Sequence, residues 1–337
     1  MRLRRMSPNE DTGWTRRRAG QGFSYVDQDG RRLTGEDLAR VKALVIPPAW
    51  SDVWISPAPN GHIQAVGTDA AGRRQYLYHE EWRKKRDADK FDRILTVAQR
   101  LPAARKRVLA DLALDGMPRE RALAAAFRML DLGYFRVGGE SYVEANGSYG
   151  LATLLKSHVK ARRSELIFEF VAKSGKEQHI VLTDPALREA VTVLRNRRSG
   201  GDELLAYRKG SRWVDVTSTD INGYVKERIR ADVSAKDFRT WHATVHASIA
   251  LALVAPPATT RTARKRAVVA AVRAVSEYLG NTPAVARASY VDPRVLDLYD
   301  GGRTITEALK KLGEDADYTD PKIYAVAERA VGKLLAP

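Results

Sequence analysis

The chain has 337 residues, 44% of them hydrophobic, and carries a formal net charge of +16 at pH 7. Its length allows two domains with a core each, and the lack of cysteine excludes disulfides and thiolate metal sites. No stretch approaches the roughly 20 apolar residues of a membrane span, and no apolar core follows the charged N-terminus as it would in a secretory signal.

The positive charge favours nucleic acid as the partner over an acidic membrane surface or an acidic protein. Arginine and lysine recur in nearly every segment beside aromatics and glycines, which a basic tail would not produce. The cysteine-free composition fits a reducing compartment. We therefore expect a cytoplasmic, nucleoid-associated protein with no membrane association.

The first part of the chain predicts a small antiparallel β-rich domain, preceded by a basic and poorly ordered arm that ends at about residue 18. Asp27–Gly30 is a hairpin turn signal. A short helix is expected to begin at Thr34 or Gly35 and to end before two consecutive prolines. Three strand-like runs then form a meander, namely Val53–Ser56, His62–Val66 and Arg73–Tyr78.

The last strand of this meander has two faces of different character. Side chains alternate between the faces of a strand, so Arg74, Tyr76 and Tyr78 share one face and Gln75 shares the other with Leu77. These are ordinary strand residues on one reading and contacts to DNA on the other.

The highly charged stretch Glu81–Lys90 predicts a boundary or linker helix, and hence two domains, 1–88 and 89–337. Beyond it, helical periodicity dominates, interrupted by a hairpin of strands Glu165–Phe170 and Gln178–Leu182 with two lysines at its tip. The pattern predicts an α+β protein. Its helices are expected at Ala104–Leu114, Pro118–Leu132, Leu151–Lys156, Pro185–Arg197, Ser218–Ile229, Asp237–Val254, Arg261–Leu279, Ile305–Leu312 and Pro321–Leu335.

A short capped helix is predicted near the end of the chain. Gly280 can close the preceding helix in a left-handed conformation. Thr282 can cap the next helix, with Pro283 at its first position. Tyr290 then lies at the end of that helix. Taken alone, such a tyrosine is more often a core residue with a satisfied hydroxyl than a catalytic group.

Several other segments hold a charged or polar residue in a stiff or tightly turned context. Arg136 precedes two glycines, Lys173 lies at the hairpin tip, Arg239 begins an apolar helix, and Asn281 is nine positions before Tyr290. Tyrosine is a possible nucleophile at phosphorus, and arginine binds two phosphate oxygens with one fork. A lysine can donate a proton to a leaving oxygen. Together they suit phosphoryl transfer.

At these segments, and over nearly the whole chain, the sequence resembles the type IB DNA topoisomerases of the poxvirus-like and bacterial branch. The motifs that carry the resemblance are Pro47–Trp50, Gly72–Tyr78, Tyr134–Tyr142, Asn146–Leu154, Phe170–Lys176, Lys236–His242 and Ser289–Tyr290 with Asn281. The resemblance implies a tyrosine recombinase/topoisomerase-like catalytic domain that forms, with the β-rich domain, a monomeric clamp around double-stranded DNA.

The resemblance also implies a mechanism that needs no cofactor, ATP or metal. Tyr290 would attack a backbone phosphate and form a 3′-phosphotyrosyl enzyme. Arg136, Arg239 and Asn281 would hold the non-bridging oxygens, and Lys173 would protonate the leaving 5′ oxygen. The remaining predicted contacts to DNA or its phosphates are made by Lys236, Gln75, Tyr76, Tyr78, Arg74 and His242.

Two residues depart from the family pattern. Members usually have glycine where this chain has Ala172, and alanine would be strained if that backbone had a positive φ. The poxvirus members have histidine where this chain has Asn281. Asparagine still donates a hydrogen bond but carries no charge.

Other interpretations remain open. Tyr142, Tyr149 and Tyr278 are alternative nucleophiles on chemistry alone. His242 and His246 have metal-ligand spacing on a helix, but the glutamate of a zinc-protease motif is missing; packing or a phosphate contact is the alternative for His242. The rival functions are a tyrosine recombinase-like strand transferase and a non-catalytic DNA clamp.

Overall fold

The structure is a computed structural model that describes residues 2–139, 147–254, 260–313 and 315–336. The chain divides into two compact units, residues 1–90 and 91–337. The predicted domains, 1–88 and 89–337, stay a prediction, because compactness does not show that either part folds alone. The predicted α+β class is confirmed, with an antiparallel sheet in the first unit and mostly helices in the second.

The first unit is built on one five-stranded antiparallel sheet in the order β2-β1-β3-β4-β5. Its strands are β1 Trp14–Ala19, β2 Gly22–Val26, β3 Ser51–Ile55, β4 Ile63–Thr68 and β5 Arg74–Tyr78, and its helix is α1 Gly35–Ala43. The predicted meander and short helix are therefore confirmed. The core contains Trp14, Val41, Ile55 and Ala65, and burial of such side chains contributes about 1.5–3 kcal/mol for each large one.

The prediction of a poorly ordered N-terminal arm is wrong. Residues from Trp14 onward form strand β1, which pairs with β2 and β3. Earlier in the arm, the Arg4 amide donates to the Asn60 carbonyl at 2.9 Å, and Met6 is buried. Arg16 donates to the carbonyls of Ile46, at 3.1 Å, and Pro47, at 3.0 Å. The Arg16 side chain thus holds local backbone in place.

The second unit is largely helical. Its helices are α2 Glu80–Leu112, α3 Arg119–Gly133, α4 Pro185–Asn196, α5 Ser218–Ile229, α6 Ala235–Ala252, α7 Arg261–Leu279, α8 Pro283–Ser289, α9 Pro293–Asp300, α10 Thr306–Lys310 and α11 Pro321–Leu335. Helix α2 begins in the first unit and continues through the charged stretch for 33 residues. Among the described residues, no helix has the length and apolar character needed to cross a membrane.

Three short strands of the second unit were not predicted. β6 Val159–Arg162 joins β7 Glu165–Ala172 and β8 Lys176–Leu182 in a three-stranded antiparallel sheet. β9 Ala206–Lys209 and β10 Arg212–Asp215 form a separate hairpin. The missed strands have four residues each, too few for a period-two pattern to be recognised.

Helix α6 lies in the middle of the second unit, with nearly all of its side chains buried. Its neighbours are held by a buried ionic network at Asp131 of α3. Arg105 of α2 donates to Asp131 at 2.7 and 2.8 Å and contacts Glu328 of α11 as well. Trp241 of α6 donates to Glu328 at 2.9 Å. This network fixes α6 against three other helices, and so fixes the residues at its N-terminal end.

Candidate active site

The segment that ends at Tyr290 has the predicted architecture. Gly280 follows α7 with a φ of +61°, and the amides of Gly280 and Asn281 donate to the carbonyls of Glu277 and Ser276. This pair of backbone hydrogen bonds is the Schellman motif. Thr282 caps α8, since its side chain accepts a hydrogen bond from the Val285 amide at 3.3 Å.

Tyr290 itself is the C-cap of α8, and its amide donates to the Ala286 carbonyl at 3.0 Å. Its own carbonyl accepts a hydrogen bond from the Thr244 hydroxyl of α6 at 3.3 Å. The next two residues, Val291 and Asp292, are fully buried. The backbone of Tyr290 is thus anchored on both sides, while its side chain is half-buried.

Arg239 lies against the Tyr290 ring, with its guanidinium carbon 5.2 Å from the ring centroid. The guanidinium donates to the carbonyl oxygens of Tyr134, at 2.6 Å, and Leu279, at 2.8 Å. The side chain is only 5% exposed. Burial, helped by the charge of Arg136, lowers the pKa of Arg239 to about 10, so the guanidinium still carries its charge at neutral pH.

Arg136 approaches the same segment from the loop after α3. Its Nη2 donates to the side-chain oxygen of Asn281 at 2.7 Å and contacts the Gly280 carbonyl at 3.5 Å. The amide nitrogen of Asn281 is buried and has no hydrogen-bond partner among the described residues. The described residues therefore leave two buried donors of this site unsatisfied, the Asn281 amide and the Nε of Arg239.

The two arginines beside Tyr290 differ from the buried Arg121, Arg128 and Arg197 in one respect. Within the described ranges, neither Arg136 nor Arg239 is within 4.0 Å of a carboxylate. Arg105 and Arg128, by contrast, pair with Asp131. Buried charges are normally paired, so two guanidinium groups without a carboxylate beside one tyrosine favour the binding of an anion.

The electrostatics of this site act on the tyrosine. Burial alone would raise the pKa of Tyr290, but the charge and hydrogen bond of Arg239 and the charges of Arg136 and Lys236 outweigh it. The pKa of Tyr290 is therefore lowered from 10.0. A lowered pKa makes the phenolate, the nucleophilic form, more accessible at a given pH.

The loop that carries Arg136 is fixed by close backbone packing. The Arg136 carbonyl accepts from the Leu151 amide at 2.8 Å. Gly138 has a φ of +71° and lies directly against Gly150, where a Cβ on Gly138 would meet the Gly150 Cα at 2.6 Å. Real Cβ atoms do not approach backbone that closely, so this contact requires glycine at both positions.

Gly138→Ala is therefore expected to displace the Arg136 loop. The substitution adds a backbone clash and a strained φ, which together cost at least about 2 kcal/mol. We expect a lower thermal midpoint and slower turnover. The matched control is Gly139→Ala, because none of the described residues lies within 4 Å of a Cβ built there. Equal melting temperatures and activities for the two variants would contradict this account.

Lys173 and Lys236 lie at the ends of different elements. Lys173 begins the turn Lys173–Gly175 between β7 and β8, and its side chain is exposed. Ala172 before it has φ −100° and ψ −174°, so alanine is unstrained there and glycine is not required. Lys236 is exposed in the first turn of α6, near enough for its charge to lower the pKa of Tyr290.

His242 does not reach the surface, which corrects its predicted phosphate contact. Its side chain is fully buried, its Nδ1 is 3.0 Å from the Tyr324 hydroxyl, and its Nε2 is 3.4 Å from Asp131. The latter is an electrostatic contact without hydrogen-bond geometry. Burial, together with His242, lowers the pKa of His246 to about 3. In the described part of the chain, no three metal-ligating side chains gather.

The other candidate residues are less close to Tyr290 or belong to the first unit. Tyr149 packs edge-on against His158, and the ring of Tyr278 packs at a tilt against that of Tyr134. Tyr142 and Asn146, with the rest of 140–146, lie outside the described residues.

The β5 residues form an exposed polar and aromatic face. Tyr76 and Tyr78 are stacked with ring centroids 6.0 Å apart and are 42% and 39% exposed. Arg74 is exposed beside them, as predicted, and Gln75 on the opposite face donates to Asp69 at 2.9 Å. Their contacts to DNA stay a prediction.

Comparison with known protein families identifies the class as the type I DNA topoisomerases. The family profile of the eukaryotic DNA topoisomerase I catalytic core matches residues 79–331, and that of the bacterial DNA topoisomerase IB N-terminal domain matches residues 22–69. The chain belongs to the type IB DNA topoisomerase family.

Three viral relatives illustrate the range of similarity. DNA topoisomerase 1B of Acanthamoeba polyphaga mimivirus is 30% identical over 295 residues, covering 85% of this chain and 87% of that protein. DNA topoisomerase 1B of Vaccinia virus (strain Copenhagen) and DNA topoisomerase I of Monkeypox virus are each 21% identical over 236 residues, covering 69% of this chain and 71% of those proteins.

Proposed function

We propose that the protein relaxes supercoiled duplex DNA by cutting one strand through a covalent 3′-phosphotyrosyl intermediate, letting the strand rotate, and rejoining it. The observation that carries this proposal is a pair of guanidinium groups without a carboxylate partner among the described residues: Arg239 lies against the Tyr290 ring, Arg136 bonds Asn281, and the charges of both lower the pKa of Tyr290. A phosphodiester supplies the anion that this arrangement lacks.

Each step of the reaction has a candidate group. The Tyr290 oxygen, having lost its proton to water, bonds to phosphorus as the bond from phosphorus to the 5′ oxygen breaks. Arg136, Arg239 and the free amide of Asn281 stabilise the charge that develops on the non-bridging oxygens. Lys173 gives its proton to the departing 5′ oxygen. Religation is the same reaction reversed.

The energy of the broken bond is conserved in the phosphotyrosyl link, so the proposed cycle requires neither ATP nor a metal ion. Lys236 supports the phosphate site, and Arg74, Gln75, Tyr76 and Tyr78 contact the duplex. The net charge of +16 favours contacts mainly to phosphate, and hence salt-sensitive and weakly sequence-selective binding. We propose further that the protein acts as a monomeric clamp on DNA, in the cytoplasm and associated with the nucleoid.

The test is relaxation of a supercoiled plasmid in EDTA without nucleotide. We expect the wild-type protein to relax positive and negative supercoils alike, and denaturant to trap protein on the 3′ side of a single-strand break. A band shift without relaxation would favour a non-catalytic clamp. Strand exchange between two duplexes carrying paired sites would favour a tyrosine recombinase.

A further inference from the structure

Three cationic side chains converge on the C-terminal end of α7. The Leu279 carbonyl accepts from Arg239 at 2.8 Å. The Gly280 carbonyl accepts from Arg136 at 3.5 Å and from the ammonium of Lys176 at 3.2 Å. Two of these three residues belong to the proposed catalytic set, but the third, Lys176, has no assigned role.

The geometry of the helix end explains why it attracts cations. The Schellman motif uses the carbonyls of Ser276 and Glu277, and leaves those of Leu279 and Gly280 without intrahelical donors. The helix dipole also places partial negative charge at this end. The α7 terminus therefore holds both arginines where a phosphate can reach them.

Lys176 connects this terminus to the hairpin that carries Lys173. In the β7–β8 ladder Ala172 pairs with Lys176, so these two residues close the turn that contains Lys173. On the same strand, the side chain of Gln178 packs over Gly280. A Cβ built on Gly280 would lie 3.3 Å from the side-chain nitrogen of Gln178. The base of the turn is thus attached to the residue before Asn281.

We propose that Lys176 is a positioning residue for the general acid: its bond to the Gly280 carbonyl sets the distance between the Lys173 turn and the Tyr290 segment. This inference rests on the proposed function. In cleavage, the Tyr290 oxygen bonds to phosphorus, the bond to the 5′ oxygen breaks, and that oxygen takes a proton from Lys173, which becomes a neutral amine. Lys176 touches none of the reacting atoms.

Two other roles for Lys176 lead to different results. If Lys176 contacts a DNA phosphate directly, its removal would weaken DNA binding and make binding less salt-dependent. This effect would be the same whether oxygen or sulfur leaves the phosphorus. A helix-capping role alone would change the thermal midpoint and leave the chemical step unchanged. If Lys176 acts through Lys173, its removal slows cleavage only when the leaving group has to be protonated.

The experiment compares single-turnover cleavage of two duplexes at saturating protein. One has the natural 5′ oxygen at the scissile phosphate and the other has sulfur there, which leaves as a thiolate without protonation. We expect Lys176→Met to slow cleavage of the oxygen substrate by about tenfold, a part of the 100-fold or more that a general acid contributes. On the sulfur substrate its rate should equal the wild-type rate within about twofold.

Three further variants sharpen the result. Lys176→Arg, whose guanidinium can also donate to the Gly280 carbonyl, should recover much of the lost rate. Lys310→Met, which removes a surface lysine paired with Glu307, should behave as wild type on both duplexes. The double variant Lys173→Met/Lys176→Met should be no slower on oxygen than Lys173→Met, because both changes disable one step.

The inference is overturned if Lys176→Met cleaves both duplexes equally slowly, if its loss multiplies with that of Lys173→Met, or if it cleaves the oxygen duplex at the wild-type rate. These outcomes leave the proposed function intact. Conversely, a wild-type protein that cleaves neither duplex contradicts the proposed function itself.

Discussion

Replacing Tyr290 by phenylalanine is expected to abolish plasmid relaxation. The variant keeps the ring that packs beside Arg239 and the backbone carbonyl that accepts from Thr244, and it loses only the hydroxyl oxygen. If that oxygen is the nucleophile, the loss is on the order of 10⁶-fold, as for other enzymes deprived of their nucleophile. The measurements are plasmid relaxation and recovery of a covalent protein–DNA adduct after denaturation.

The controls separate chemistry from folding and binding. Tyr290→Phe should bind duplex DNA and melt like the wild type, because the hydroxyl is not part of the core. Tyr278→Phe, which removes a hydroxyl from a half-exposed tyrosine of α7, should retain relaxation activity. A covalent adduct formed by Tyr290→Phe would show that another tyrosine is the nucleophile, and Tyr278 and Tyr149 would then be tested first.

Sequence reasoning worked best where the signals were local. Gly280, Thr282 and Pro283 each specify a helix end by their own backbone chemistry, and the structure has α7 and α8 with those ends. The same rule explains one error. Helix α9 was not predicted, although the buried Asp292 caps it and Pro293 occupies its first turn.

The N-terminal arm was missed because its charges masked a strand. The run of arginines in β1 suggested disorder, but Trp14 at its start is buried in the core of the sheet. Its three arginines, Arg16, Arg17 and Arg18, are consecutive and exposed or half-buried, since only Trp14 at the start of this strand is buried. Composition alone could not distinguish a basic strand that is paired on both sides from a flexible tail.

The site was only partly predictable for a different reason. The resemblance picked out Arg136, Arg239 and Asn281, which the structure brings together at Tyr290. What holds the two guanidinium groups, however, is a set of backbone carbonyls at Tyr134, Leu279 and Gly280.

The positions of backbone carbonyls depend on tertiary packing, and the residue types in the sequence do not indicate them. For the same reason Lys176 could not be distinguished in the sequence from any other surface lysine. Its contact exists only because the β7–β8 hairpin reaches the end of α7. The buried position of His242 was equally out of reach, since helical spacing does not show which faces of α6 are covered.

Replacing Arg239 by methionine is expected to separate activity from stability. Its guanidinium is aimed at the Tyr290 ring, so its loss removes charge stabilisation that operates in the transition state. Single donors of this kind contribute about 10²–10³-fold, and catalytic arginines up to about 10⁵-fold. We expect cleavage and relaxation to fall by at least about 10³-fold.

Stability should respond much less, because the fold disfavours this charge. The pKa of Arg239 is lowered from 12.5 to about 10, mainly by burial, so the charged form is disfavoured by about 3 kcal/mol at every pH well below 10. Methionine removes that cost and also the bonds to two carbonyls, which are worth about 1.5–3 kcal/mol each. These terms oppose each other, and the thermal midpoint should move by only a few degrees.

Arg128→Met is the matched control, because Arg128 is a similarly buried arginine that pairs with Asp131 and Asp184. Its loss leaves two buried carboxylates with fewer partners, which typically costs 3–5 kcal/mol. We therefore expect Arg128→Met to lower the thermal midpoint strongly and to keep its activity per folded molecule. Arg239→Met should do the opposite. Loss of a buried side chain usually lowers stability. If Arg239→Met loses activity and keeps its stability, Arg239 is retained for chemistry and not for folding.

The pH dependence of cleavage provides the final check on Arg239. Its charge and hydrogen bond are the main influences that lower the pKa of Tyr290 against the opposing effect of burial. In the wild type the rise of the single-turnover rate with pH should therefore have its midpoint below the ordinary tyrosine pKa of 10.0. In Arg239→Met, burial is opposed only by Arg136 and Lys236, so the rise should shift to higher pH. A variant that is slower at every pH but keeps the wild-type profile would show that Arg239 acts on the phosphate alone and not on the nucleophile.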